Sequence, residues 1–98
     1  MEERIINEII NHVNTCGGLR KEWYVGIAED PKKRLFSDHN VSENGDSWIL
    51  RDASNETAAR AIEEHLLNLG FDGGGGGGSY LTHFVYAYRK AYHTKENN

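Results

Sequence analysis

The run Trp23-Tyr24-Val25-Gly26-Ile27-Ala28, followed by Asp30-Pro31-Lys32-Lys33-Arg34-Leu35, decides the fold. Its first half is β-branched and aromatic, the composition of a buried strand. In an extended chain successive side chains face opposite ways, so Trp23, Val25 and Ile27 share one face and Tyr24, Gly26 and Ala28 the other. The second face is a phenol beside two very small residues. That leaves room for another backbone or a ligand to approach, or for a helix to pack closely. Asp30 accepts free amide bonds and Pro31 needs no donor, so the pair reads as a helix start, and a helix is predicted over 31–39. Arg34 lies on it, placed to turn back over the Tyr24 face or to pair with Asp38 at i+4.

Working outward, Ile5, Ile6, Ile9, Ile10 and Val13 form one apolar stripe, which predicts an amphipathic helix over 1–14 that ends in Thr15-Cys16-Gly17-Gly18. The stripe suits a core or a homodimer surface. Downstream, the turn residues Asn44-Gly45-Asp46 precede a strand over 47–51. Ser54 or Asn55 caps a helix that runs through Ala58, Ala59, Ile62, Leu66 and Leu69 and stops at Gly70. Residues 82–92 alternate Phe84, Tyr86, Tyr88 and Tyr92 with Val85 and Ala87, which predicts a long closing strand. The expected fold is a single α/β (α+β) domain over 1–98, a small sheet of about three strands packed by helices.

Composition sets limits. The chain has 98 residues, a formal charge of -4 and one cysteine, Cys16. One domain is all it holds, and no internal disulfide can form. No apolar run approaches a membrane span. The acidic start Met1-Glu2-Glu3-Arg4 does not read as a secretory signal, so a cytoplasmic location is expected. The acid excess argues against broad, sequence-independent coating of DNA. Between residues 19 and 36, however, five basic residues stand against three acidic ones, enough for a local basic patch.

Glu63 stands apart among the carboxylates. Ala59 precedes it by one turn and Leu66 and Leu67 follow, which sets it at the margin of the buried stripe, where a carboxylate is costly without a cation, a metal or water. It either meets such a partner or reaches solvent from the rim. Its neighbour Glu64 has Arg60 at i-4 as an ordinary ion-pair partner. The six glycines Gly73 to Gly78 read as a loop over 73–79, since no Gly-Lys-Ser or Gly-Lys-Thr follows to make a phosphate cradle; a flap over a neighbouring site is the other reading. His12 and Cys16 lack further ligands nearby, and His65, His83 and His93 are isolated. The Phe84, Tyr86 and Tyr88 face is suited either to stacking on single-stranded bases or to a core.

Tyr24-Val25-Gly26, then Arg34 within Pro31-Lys32-Lys33-Arg34-Leu35, then Ala61-Ile62-Glu63-Glu64-His65-Leu66-Leu67 resemble, in order and spacing, the GIY-YIG nuclease superfamily. The likeness covers 23–69. It implies metal-dependent phosphodiester hydrolysis on DNA. Tyr24 matches the second signature tyrosine, Arg34 the phosphate-contacting arginine, His39 approximately the family histidine, and Glu63 the glutamate that binds one divalent metal, Mg²⁺ or Mn²⁺. In the roles so implied, Tyr24 or His39 helps activate water, Arg34 stabilises the transition state, and the Glu63-bound metal supports the leaving oxygen. The first signature, Gly-Ile-Tyr on a strand one hairpin upstream, is missing before Tyr24, so one of two active-site tyrosines is expected to be absent. A late asparagine also has no clear counterpart. These departures suit a second reading, a non-catalytic relative that keeps the fold as a binding or interaction module, dimerised through the N-terminal helix.

Overall fold

The computed structural model describes residues 1–74 and 81–96. Helix α1 spans Glu2–Cys16, strand β1 Trp23–Ala28, a π-wound helix Lys33–Asp38, strand β2 Trp48–Asp52, helix α2 Glu56–Asn68 and strand β3 Phe84–Arg89. The three strands form an antiparallel sheet in the order β1-β3-β2. The expected α+β fold is therefore observed, with one change of place: the closing strand is the central one, flanked by β1 and β2, and the outer edge of β1 adds a single parallel bridge from Tyr24 to Asp72. Among the described residues no helix is long and apolar enough to cross a membrane.

The strand alternation sorts the core into two layers. Trp23 and Val25 of β1, Ile49 of β2 and Val85 and Ala87 of β3 face α1 and α2, whose Ile5, Ile9, Val13, Ala59, Ile62 and Leu66 complete the larger core. Tyr24, Ala28, Tyr86 and Tyr88 face the opposite way, against Leu35 and Val41. Of the N-terminal stripe, Ile5, Ile9 and Val13 are buried in this core, and Ile6 and Ile10 are half-buried against it.

Element ends shift for identifiable reasons. Helix α1 runs past Asn14 and is stopped at Gly17, whose φ of 94° favours glycine. Asn55, not Ser54, caps α2, its side chain accepting from the Ala58 amide at 2.8 Å. Arg60 pairs with Glu56 rather than the expected Glu64, a carboxylate one turn earlier. Asp30 accepts from the Lys33 amide at 3.2 Å, as its capping role requires. The helix that follows closes with a bond from the His39 amide to the Arg34 carbonyl, five residues back, at 2.8 Å. This wide turn sets Leu35 and His39 against the sheet. β3 is shorter than 82–92, because Tyr92 is fully exposed and residues 91–96 turn away from the sheet.

Candidate functional site

The four residues singled out by the sequence come from β1 (Tyr24), the π-wound helix (Arg34), its C-terminal end (His39) and α2 (Glu63). The structure brings the first three together beneath the sheet. The Tyr24 and His39 rings lie 4.9 Å apart between centroids. Arg34 gives an Nη1 hydrogen bond to Asp38 Oδ2 at 2.8 Å, the i+4 pair anticipated from sequence, and also reaches Tyr86. Asp38 is consequently held below the usual carboxylate range, mainly by that bond. The Arg34 side chain stays one-third exposed.

Sequence reasoning missed the phenols of β3. Tyr86 stands opposite Gly26 and Tyr88 opposite Tyr24. A Cβ on Gly26 would collide with the Tyr86 hydroxyl and ring, so the space expected beside Tyr24 for a ligand or another backbone is filled by this phenol. The base-stacking role suggested for the β3 aromatics fails on the same ground: Tyr86 and Tyr88 are fully buried, and stacking needs an open ring face. A small residue facing large aromatics on alternating strands was the signal available, but reading it required knowing that β1 and β3 are neighbours.

His39 is the hub. Its Nε2 lies 2.8 Å from the Tyr86 hydroxyl, and its Nδ1 lies 2.6 Å from the Lys95 carbonyl and 3.1 Å from the Tyr88 hydroxyl. Tyr88 in turn donates to Glu96 at 2.8 Å. Burial lowers the His39 pKa from 6.5, with Arg34 adding repulsion, so the ring is neutral at pH 7. Burial also raises the Tyr86 hydroxyl to about 12 and raises Tyr24 and Tyr88, which keeps all three phenols protonated. His39 has no exposed surface, so water or substrate meets it only through a neighbour.

Tyr24 is 8% exposed, and the Gly74 amide hydrogen-bonds its hydroxyl. The start of the glycine run therefore touches the site, while residues 75–80 of the expected loop lie outside the described residues.

Glu63 is 6% exposed, at the buried margin that its neighbours indicated. Desolvation raises its pKa from 4.5, and Arg60 only partly offsets this. Among the described residues it has no hydrogen bond or ion pair, yet its charge bears on the hydroxyls of both Tyr24 and Tyr86. No buried side-chain oxygen among the described residues lacks a partner, so the Glu63 carboxylate meets solvent from the rim of the core. Such a group suits a divalent cation, since Mg²⁺ is commonly held by one or two carboxylates with water and phosphate oxygens completing its shell. No group of three or more His, Cys, Asp or Glu converges among the described residues, so a cation here would rest on Glu63 alone. Comparison of the chain with family models, with curated proteins and with solved structures found no match.

Proposed function

We propose that the chain is a GIY-YIG-like domain that hydrolyses phosphodiester bonds in DNA with a divalent metal. The observation that supports this most is Glu63, a 6%-exposed residue at the margin of the core with no hydrogen bond or ion pair among the described residues, its charge acting on the hydroxyls of Tyr24 and Tyr86 beside Arg34. Structure alone gives little reason to leave an ionisable group in that position, since an apolar residue of similar size would be no worse. Arg34 offers guanidinium donors to the phosphoryl oxygens, where charge grows as the bond breaks. Tyr24 presents a neutral hydroxyl next to it, and Glu63 holds the metal. The metal, when bound, offsets phosphoryl charge and favours departure of the leaving oxygen. The second reading, a binding or interaction module without activity, draws support from the net charge of -4 and from the slight exposure of Tyr24.

The test is nicking of supercoiled plasmid with Mg²⁺ or Mn²⁺ by wild type, Glu63→Ala and Arg34→Ala. Nicking by wild type, lost in both folded variants, is expected. No nicking, together with no binding of metal or DNA, would replace this reading with the interaction module.

A further inference from the structure

We propose that β3 and residues 91–96 complete the candidate site: Tyr86 positions the Arg34 guanidinium, and the Lys95 carbonyl fixes the imidazole of His39 that orients Tyr86. The hydrolytic reading enters only in what Arg34 then does; the positioning stands on hydrogen-bond chemistry.

Lys95 clasps His39 at two points. Its amide donates to the His39 carbonyl at 2.8 Å, and its own carbonyl lies 2.6 Å from His39 Nδ1. A carbonyl only accepts, so Nδ1 carries the proton, and in a neutral ring Nε2 is left as an acceptor. The Tyr86 hydroxyl, 2.8 Å away, must then donate to Nε2. With its proton committed there, the Tyr86 oxygen turns its lone pairs to Arg34, which hydrogen-bonds it. Tyr88 obeys the same logic: it donates to Glu96, so its oxygen accepts a share of the Nδ1 proton. Were the ring protonated at Nε2 instead, that N–H would claim the Tyr86 oxygen and swing the hydroxyl proton toward Arg34, setting donor against donor. One tautomer satisfies every group, and Lys95 selects it.

The clasp is itself tied down. Thr94 Oγ1 exchanges hydrogen bonds with the Ala91 backbone, Asn40 Nδ2 donates to the His93 carbonyl at 3.1 Å, and His93 meets Asp46 at 2.6 Å. β3 also pairs antiparallel with β1, as a hairpin strand just upstream would.

Two measurements on the full chain test this. Long-range ¹H–¹⁵N correlation of the imidazoles should show His39 neutral and protonated at Nδ1 at pH 7.5. The Tyr86→Phe variant should shift and broaden the Arg34 Nε–H resonance and lower the kcat of nicking by about 10²-fold with KM unchanged, the scale of loss from a misplaced catalytic group. Tyr92→Phe, on a fully exposed ring, should change neither. An Nε2-protonated or charged His39, an unmoved Arg34 resonance, or wild-type kcat in Tyr86→Phe would overturn the proposal. Should wild type fail to cut while the tautomer and the Arg34 shift appear as described, the hydrolytic reading falls and the positioning by Tyr86 stands.

Discussion

The phenol of Tyr86 lies across the backbone of Gly26, its partner on the neighbouring strand, in the space where any Cβ would stand. The two positions are complementary: the ring reaches His39 and Arg34 only because position 26 has no side chain. Gly26→Ala is expected to destabilise the fold by about 1–3 kcal/mol, the usual cost of overpacking. The phenol cannot simply swing away, because its hydroxyl is held at both sides. Adding Tyr86→Phe should recover part of the loss, since the hydroxyl is among the atoms struck. Urea unfolding of the two single variants and the double variant checks this, and strict additivity would count against the contact.

Glu63→Leu should make the protein more stable at pH 7 while abolishing nicking. The substitution replaces a partly desolvated carboxylate beside Leu66 and Leu67 with an apolar side chain, and relief of that desolvation is worth about 1 kcal/mol. The sign follows from its raised pKa: Glu63 favours folding while protonated, and that contribution is lost as pH climbs from 4.5 through the folded-state value. Mg²⁺ should raise the Tm of wild type and leave that of Glu63→Leu unchanged. Thermal unfolding with and without the ion reads both effects.

His39 predicts the opposite slope. Its folded-state pKa lies below 6.5 because burial and Arg34 disfavour the imidazolium, while the Lys95 carbonyl, Glu96 and Asp38 pull the other way. The unfolded chain therefore takes up this proton first on acidification. Stability from His39 is complete above pH 6.5 and is lost as pH falls through the folded-state value. Tyr24, Tyr86 and Tyr88, which also face the ring, keep their protons across this range. In urea unfolding at pH 7.5 and pH 5, the gap between wild type and His39→Gln should narrow at the lower pH. Because His12 is shifted in the same direction, only that difference isolates His39.

DNA binding, if the local basic stretch makes it, should depend on salt only modestly. Arg34 with Lys32 and Lys33 would neutralise about three phosphates, giving a slope of log Kobs against log salt of roughly -3. Arg34→Ala should lessen the slope by about 1. A slope of zero in wild type would rule out phosphate contact by this surface.

The local elements were legible because each is written in neighbouring residues: the isoleucine stripe, Asn55 as a cap, the Asp30-Pro31 start, the alternation about Tyr24. What escaped was the order of strands. Nothing in the composition of β3 says that it lies between β1 and β2, because a central strand and an edge strand of this length can carry the same aromatics. From that gap followed the opening assigned beside Gly26, which the Tyr86 ring fills. The site showed the same division. Arg34 and Glu63 declared themselves through spacing and misplaced charge, whereas Tyr86 and the Lys95 carbonyl acquire meaning only once His39 is seen between them.

Because β1 and β2 touch only β3 within the sheet, no part of that sheet can close while the ribosome has yet to reach residue 84. A nascent chain carrying Arg34 and Glu63 would hold them on unjoined strands and helices for the several seconds that a few dozen further residues take at about 5–20 residues per second. Interrupted translation products ending before β3 would then lack any assembled centre.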